Sequence, residues 1–168
     1  MNEEILKKLR LASLYDSKKI INIWNSYQDK AIINHPHYGW ISPNYYRSVY
    51  KNKPCPYCGK KMVQGNEYRT NSKEIAISRG YEYKNSKGQL TINKINGRNI
   101  YFHPNYITLD HKMNKARFPQ LMFNFSNLEV ICWRCNNEKQ DNNAFEIEQN
   151  LDYYNTLYEV VDKRYKPL

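Results

Sequence analysis

Ile5, Leu9 and Leu11 stand among charged residues in segment 2–14, a spacing that predicts a short amphipathic helix. Ile20, Ile21, Trp24 and Tyr27 then follow at close to helical spacing. Asp16 precedes them where a helix cap belongs, so a second helix is predicted over SKKIINIWNSYQ. NHPHYGWISPN (34–44) is rich in breakers and predicts a loop. NYYRSVYKNK (44–53) predicts a short aromatic and basic helix. From 62 to 105 the chain is polar and weakly periodic. Within it, QLTINKINGRNIYF (89–102) predicts a hairpin, because Asn96-Gly97 is a strong two-residue turn signal with β-formers on both sides. YITLDH (106–111) and NLEVICW (127–133) predict strands. The stretch between them predicts a loop with room for one helical turn. A helix is predicted from Cys135 to about Gln149, and another over 151–165. No repeat or low-complexity tract interrupts this order.

These elements predict an α+β fold in three parts. Residues 1–53 form an N-terminal helical and aromatic extension, 54–149 a core with a basic insertion at 62–105, and 150–168 a C-terminal helix. That helix is rich in tyrosine and either packs on the core or supports a homodimer.

Composition adds two constraints. The chain has 168 residues, of which 40% are hydrophobic, and 16 are tyrosines that keep a polar tip. Its mean hydropathy is -0.89. A chain this lean in aliphatic residues gains from a metal staple. Lys and Arg number 26 against 16 Asp and Glu, a net charge of +10, which favours a polyanionic partner. The same excess reads equally as a soluble basic surface or as the imprint of an AT-rich coding sequence. No run approaches the ~20 apolar residues of a membrane span, and the first residues lack the apolar run of a secretory signal. A cytoplasmic location with reduced thiols is expected, with no membrane partner.

In that setting the four cysteines read as metal ligands before they read as disulfides. Cys55 and Cys58 form one pair with two residues between them, followed by Gly59. Cys132 and Cys135 form the other. This spacing lets both sulfurs of a pair point at one ion from a single turn, and two pairs complete a tetrahedral thiolate shell. An iron–sulfur cluster also takes four thiolates, but the Gly and basic residues after Cys58 suit a zinc turn better. A full thiolate shell leaves no open position, so such a zinc ion is structural.

The second constellation lies in 107–141. Phosphodiester hydrolysis needs a base for water, which suits a neutral histidine. It also needs a divalent cation on hard oxygen ligands to stabilise the leaving oxygen. His111 supplies the first, and Asp110 and Asn136 the second. Neighbours in a regular strand point to opposite faces. Asp110 and His111 therefore share a site only if the strand ends there and its twist breaks, which the polar, Pro-containing loop after it allows. Asn136 follows Cys135, so the thiol site governs where its side chain stands.

The order Cys-x-x-Cys, Asp110-His111, Asn127-Leu128, then Cys132-x-x-Cys135-Asn136-x-x-Lys139 resembles the HNH endonuclease superfamily, in the subgroup with two such cysteine pairs. The resemblance covers 55–61 and 106–141. It implies a zinc-stapled ββα-metal core of two strands, a helix and one catalytic divalent cation. By it, His111 activates water, Asp110 and Asn136 bind Mg²⁺ or another divalent cation, and Asn127 braces the loop carrying His111. Asn136 stands where the family often has His, which leaves the preferred metal open. The family implies a nuclease cutting double-stranded DNA, of small restriction type or from a phage or mobile element.

Four more residues are candidates for nucleic-acid contact. Arg134 and Lys139 flank the metal ligand on the predicted helix and suit a phosphate backbone, or a solvated helix face. His103 and Arg98 lie in the insertion, where Lys and Arg interleave with Tyr68, Tyr81, Tyr83 and Tyr101. That pattern fits DNA contact or an ordinary decorated loop. Two other classes of function remain beside the nuclease: a zinc-ribbon nucleic-acid-binding module without cleavage, and a partner-dependent subunit of a defence complex. A pure binding module does not need the set Asp110, His111, Asn127 and Asn136, whereas a subunit that cuts only with a partner does.

Overall fold

The computed structural model describes residues 16–95, 97–116 and 118–140, together with Thr156 and Glu159. The predicted helices over 2–14 and 151–165 lie outside the described residues. So does most of the predicted helix beyond Gln140. The described residues form a mixed α/β fold of four helices and small antiparallel sheets. No helix among them is long and apolar enough to cross a membrane.

Helix α1 spans Ser17–Ser26. Asp16 starts it, its Oδ1 accepting from the Lys18 and Lys19 backbone N–H groups at 2.9 and 3.4 Å. Strands β1 (Ile33–His35) and β2 (Gly39–Ile41) follow and pair with Ile33 opposite Ile41. This hairpin replaces the predicted loop over 34–44. The breakers Pro36 and Gly39 sit at its turn, and Gly39 has a φ of 66° that favours glycine. Ile33, His35 and Ile41 point inward, so burial of alternate residues outweighs the turn-rich composition. Helix α2 (Pro43–Val49) begins at Ser42, whose Oγ accepts from the Tyr45 N–H.

The insertion holds more regular structure than its polar sequence suggests. Strand β3 (Arg69–Thr70) leads to helix α3 (Lys73–Ser78), which no sequence pattern announced. Ser72 caps α3 by accepting from the Ile75 N–H. Then come β4 (Tyr83–Lys84), β5 (Leu90–Thr91), β6 (Asn93–Lys94) and β7 (Tyr101–Phe102). The predicted hairpin over 89–102 is split. Leu90 and Thr91 pair back with β4, while β6 pairs with β7, Asn93 opposite Phe102. A six-residue loop joins β6 to β7 instead of a two-residue turn. The turn signal survives at its tip, where the Arg98 N–H reaches the Ile95 carbonyl at 3.2 Å. Pairing of Asn93 with Phe102 sets the register, because both residues are buried.

Strand β8 (Ile107–His111) and strand β9 (Leu128–Cys132) pair in register, Ile107 opposite Cys132, Asp110 opposite Glu129 and His111 opposite Leu128. Helix α4 (Trp133–Gln140) follows β9 directly. It starts two residues before the predicted point. The N–H groups of Trp133 and Arg134 are satisfied there by the carbonyls of Tyr106 and Pro104, at 2.8 and 3.0 Å. One core joins Ile107, Leu109, Leu128, Val130 and Ile131 of this strand pair to Ile33, Ile41, Tyr46 and Met62. Helix α4 lies against both strands and carries the polar residues described next.

A four-thiol centre beside a carboxylate and histidine strand

The first cysteine pair sits in a tight turn. The Gly59 N–H donates to the Cys55 carbonyl and the Cys55 N–H to the Lys60 carbonyl, both at 2.8 Å. Gly59 takes a φ of 69°, which a side chain would strain. The second pair spans the corner where β9 becomes α4. All four sulfurs lie within 4.8 Å of one another. Cys58 Sγ and Cys132 Sγ are 3.8 Å apart, far beyond a disulfide bond and close to the edge of a zinc–thiolate tetrahedron, about 3.8 Å. The four thiols can therefore hold one metal ion such as zinc.

Burial pushes the Cys55 thiol up, but backbone N–H groups of Cys132, Cys58 and Tyr57 outweigh it and hold the thiol below its ordinary range. Burial raises Cys132 to about 12 and Cys135 further, the neighbouring sulfurs adding to the rise. Thiolates at those two positions need a cation beside them.

The other predicted site residues divide between two faces of β8. Thr108 and Asp110 face α4. The Thr108 hydroxyl donates to the Ile131 carbonyl at 2.9 Å, so its oxygen accepts from Asn136 Nδ2 at 3.2 Å. That orients the Asn136 amide, with Nδ2 as the donor toward Thr108. One turn further along α4, Lys139 Nζ donates to Asp110 Oδ2 at 2.8 Å and to Glu129 Oε1 at 2.9 Å. Tyr57, inside the first cysteine turn, donates to the same Glu129 oxygen at 2.6 Å. Burial lowers the Lys139 pKa, but the two carboxylate bonds more than reverse that, and the ammonium stays charged well above neutral pH. Burial raises the Asp110 carboxyl, with Lys139 pulling the other way.

His111 leaves the strand on the opposite face. Its Nε2 meets the Met122 carbonyl at 3.0 Å, and its ring meets Trp24 of α1 edge-on at 4.6 Å. Trp24 in turn stacks on Phe123. A carbonyl only accepts, so Nε2 carries the proton and Nδ1 is the free base. Burial, aided by the nearby Lys115, holds the imidazole pKa at about 4. The strand does not break before His111, which pairs regularly with Leu128. The break that would turn both side chains into one site is therefore absent, because the β8–β9 ladder runs through both residues. Asp110 turns to Lys139 and His111 to Met122 and Trp24.

Asn127 is buried beneath the loop that follows. Its Oδ1 accepts from the Met113 N–H at 2.7 Å, and its Nδ2 donates to the carbonyls of Met113 and Leu121 at 3.1 and 3.2 Å. Its own carbonyl takes the Lys112 N–H at 2.8 Å. One side chain thus ties the beginning and the middle of the loop after His111 to the start of β9. Asn127→Ala leaves three backbone groups without this partner. We expect it to lower stability by about 3 kcal/mol, read as a lower urea midpoint, since each stranded buried group costs ~1–3 kcal/mol. An unchanged midpoint would show that the bonds are dispensable.

The remaining candidates stand apart from Asp110. Arg134 pairs with Glu138 and lies 5.4 Å over the Tyr83 ring, facing the insertion. His103 packs on Tyr68 and Tyr81, and its Nδ1 accepts from the Asn105 N–H. Arg98 is exposed between β6 and β7. The insertion's tyrosines serve its own packing, with Tyr81 and Tyr83 buried, while Lys73, Arg79, Lys84, Lys94 and Arg98 are exposed. Asn137 fastens the insertion to α4, donating to Tyr83 Oη and Asn93 Oδ1 at 3.0 and 2.9 Å. Sequence reasoning did not find Glu129, Tyr57, Trp24, Lys115 or Asn137. Glu129 alone left a trace there, as a charge inside an otherwise apolar strand. Comparison with protein-family models, with curated proteins and with solved structures finds no match to this chain.

Proposed function

We propose that this chain is a metal-dependent endonuclease of HNH type that hydrolyses phosphodiester bonds in DNA. The observation that carries the reading is the placement of Asp110, His111 and Asn136. They lie on a strand end and a helix start that the four-thiol centre ties together. On this reading β8, β9 and α4 are the two strands and helix of a ββα-metal core, and zinc fills the four thiols as a structural ion.

Asp110 and Asn136 offer oxygen donors from one face of β8 and α4, the chemistry that Mg²⁺ or Mn²⁺ takes. A cation held there supplies charge for the leaving oxygen. His111, neutral at physiological pH with Nδ1 unprotonated, removes a proton from the attacking water. Nε2 stays anchored on the Met122 carbonyl, and Trp24 fixes the plane of the ring. Because the carboxylate and the imidazole flank the strand end from opposite faces, the scissile phosphate is placed beyond that end, between them. The exposed lysines and arginines of the insertion suit a duplex backbone.

The test is nicking of supercoiled plasmid by the zinc-loaded chain with Mg²⁺ or Mn²⁺, wild type against His111→Ala. Cleavage by the wild type alone supports the reading. DNA binding without cleavage in any divalent metal would sink it and leave a binding module.

A further inference from the structure

The Lys139 ammonium sits on Asp110, the carboxylate read above as a ligand of the catalytic cation. Two carboxylates that it bonds lie opposite each other in the β8–β9 register, Asp110 across from Glu129. All three side chains are only 16–18% exposed, so the two carboxylates repel each other in a partly desolvated place. A cation between them is required, and Lys139 meets that need from α4. It is well held. Glu129 is fixed by the Tyr57 hydroxyl, and the ammonium lies 5.5 Å over the Tyr57 ring. Tyr57 belongs to the Cys55–Cys58 turn, so the thiol centre helps to set the position of this pair.

Lys139, already on Asp110 Oδ2, and a divalent cation would compete for the same carboxylate. Two cations cannot both contact it at short range without repelling each other. Glu129 offers the displaced ammonium a second seat that it already touches. We propose that Lys139 is a built-in competitor for the catalytic cation, seated on Asp110 in the metal-free protein and shifted onto Glu129 when the cation binds. This rests on the reading of Asp110 as a cation ligand. The cation's affinity is then set by a residue that does not ligate it. Loading the cation moves the ammonium from Asp110 to Glu129, which it already touches.

The test is Mn²⁺ binding to the zinc-loaded full chain, followed by the paramagnetic signal of free Mn²⁺. Zinc content serves as the check on folding. Lys139→Met should tighten Mn²⁺ binding about tenfold, within the usual range for coupled sites. Lys139→Arg, which keeps the competing charge, should stay near wild type. In cleavage assays Lys139→Met should need less Mn²⁺ for half-maximal rate while its maximal rate falls. Mere loosening of the fold would raise the Mn²⁺ requirement instead. If Lys139→Met binds Mn²⁺ no tighter while Asp110→Asn loses it, the competition is refuted and the nuclease reading stands. If Asp110→Asn binds Mn²⁺ like wild type, Asp110 is not a ligand and both fall.

Discussion

Cys132→Ser is expected to abolish folding, and a strong zinc chelator is expected to unfold the wild-type chain. The reason is the small amount of regular structure available to resist. The strands that meet at the centre are five residues long, and most others are two or three. The bond from the Cys132 N–H to Cys55 Sγ joins residues 77 positions apart. Bringing such distant turns together costs chain entropy that short ladders recover poorly. A structural zinc ion contributes about 10–16 kcal/mol in small domains, while whole proteins have net stabilities of about 5–15 kcal/mol. Three of the four cysteines also belong to the apolar core, so losing the ion opens the core as well. Serine keeps the size of cysteine but is a poor zinc ligand. Circular dichroism and zinc content are the measurements. A Cys132→Ser chain with native ellipticity and an unchanged melting temperature would refute the structural role of the centre.

The second large effect is on chemistry rather than folding. His111→Ala is expected to lower the maximal cleavage rate by about 10²–10⁴, the usual contribution of a positioned base. Zinc content should not change. Substrate binding should change little, because the imidazole is half-buried between Trp24 and the Met122 carbonyl. The loss should therefore fall on kcat and not on KM. Stability should drop modestly, since the Met122 carbonyl loses a donor. Cleavage at the wild-type rate would remove His111 from the mechanism. A rise in KM with kcat intact would point to a role in binding.

Both expectations use residues picked out before any fold was known, but their evidence differs in kind. The thiol centre is a geometric fact, with four sulfurs gathered around one point. The carboxylate and histidine pair is a strand end whose two side chains diverge. For Asn127 the family resemblance implied a brace for the loop carrying His111, and three side-chain bonds run from it into the loop after His111. The insertion shows where pattern stops. Its tyrosines read equally as a nucleic-acid surface or as packing. Tyr81 and Tyr83 pack inward, and the exposed charge is carried by lysine and arginine.

Sequence by itself determined whatever is decided within a turn or two of chain. The Asp16 cap, helix α2, strands β8 and β9, the cysteine turn with Gly59 and the nearness of Asn136 to Cys135 belong here. In each case the partners are covalently close, so spacing alone dictates which atoms meet. Helix α3 and the β1–β2 hairpin were hidden. Several of their apolar residues (Ile75, Ile77 and Trp40) are exposed, and they form because the rest of the molecule buries Ala76, Ile33 and Ile41. Only the tertiary structure decided the pairing of Asp110 with Lys139 and Glu129, the reach of Tyr57 across 72 positions to Glu129, and the placing of Trp24 on His111. These contacts depend on strand register and on which helix covers which face. Register is fixed by burial summed over both strands, a quantity that no single stretch of sequence contains.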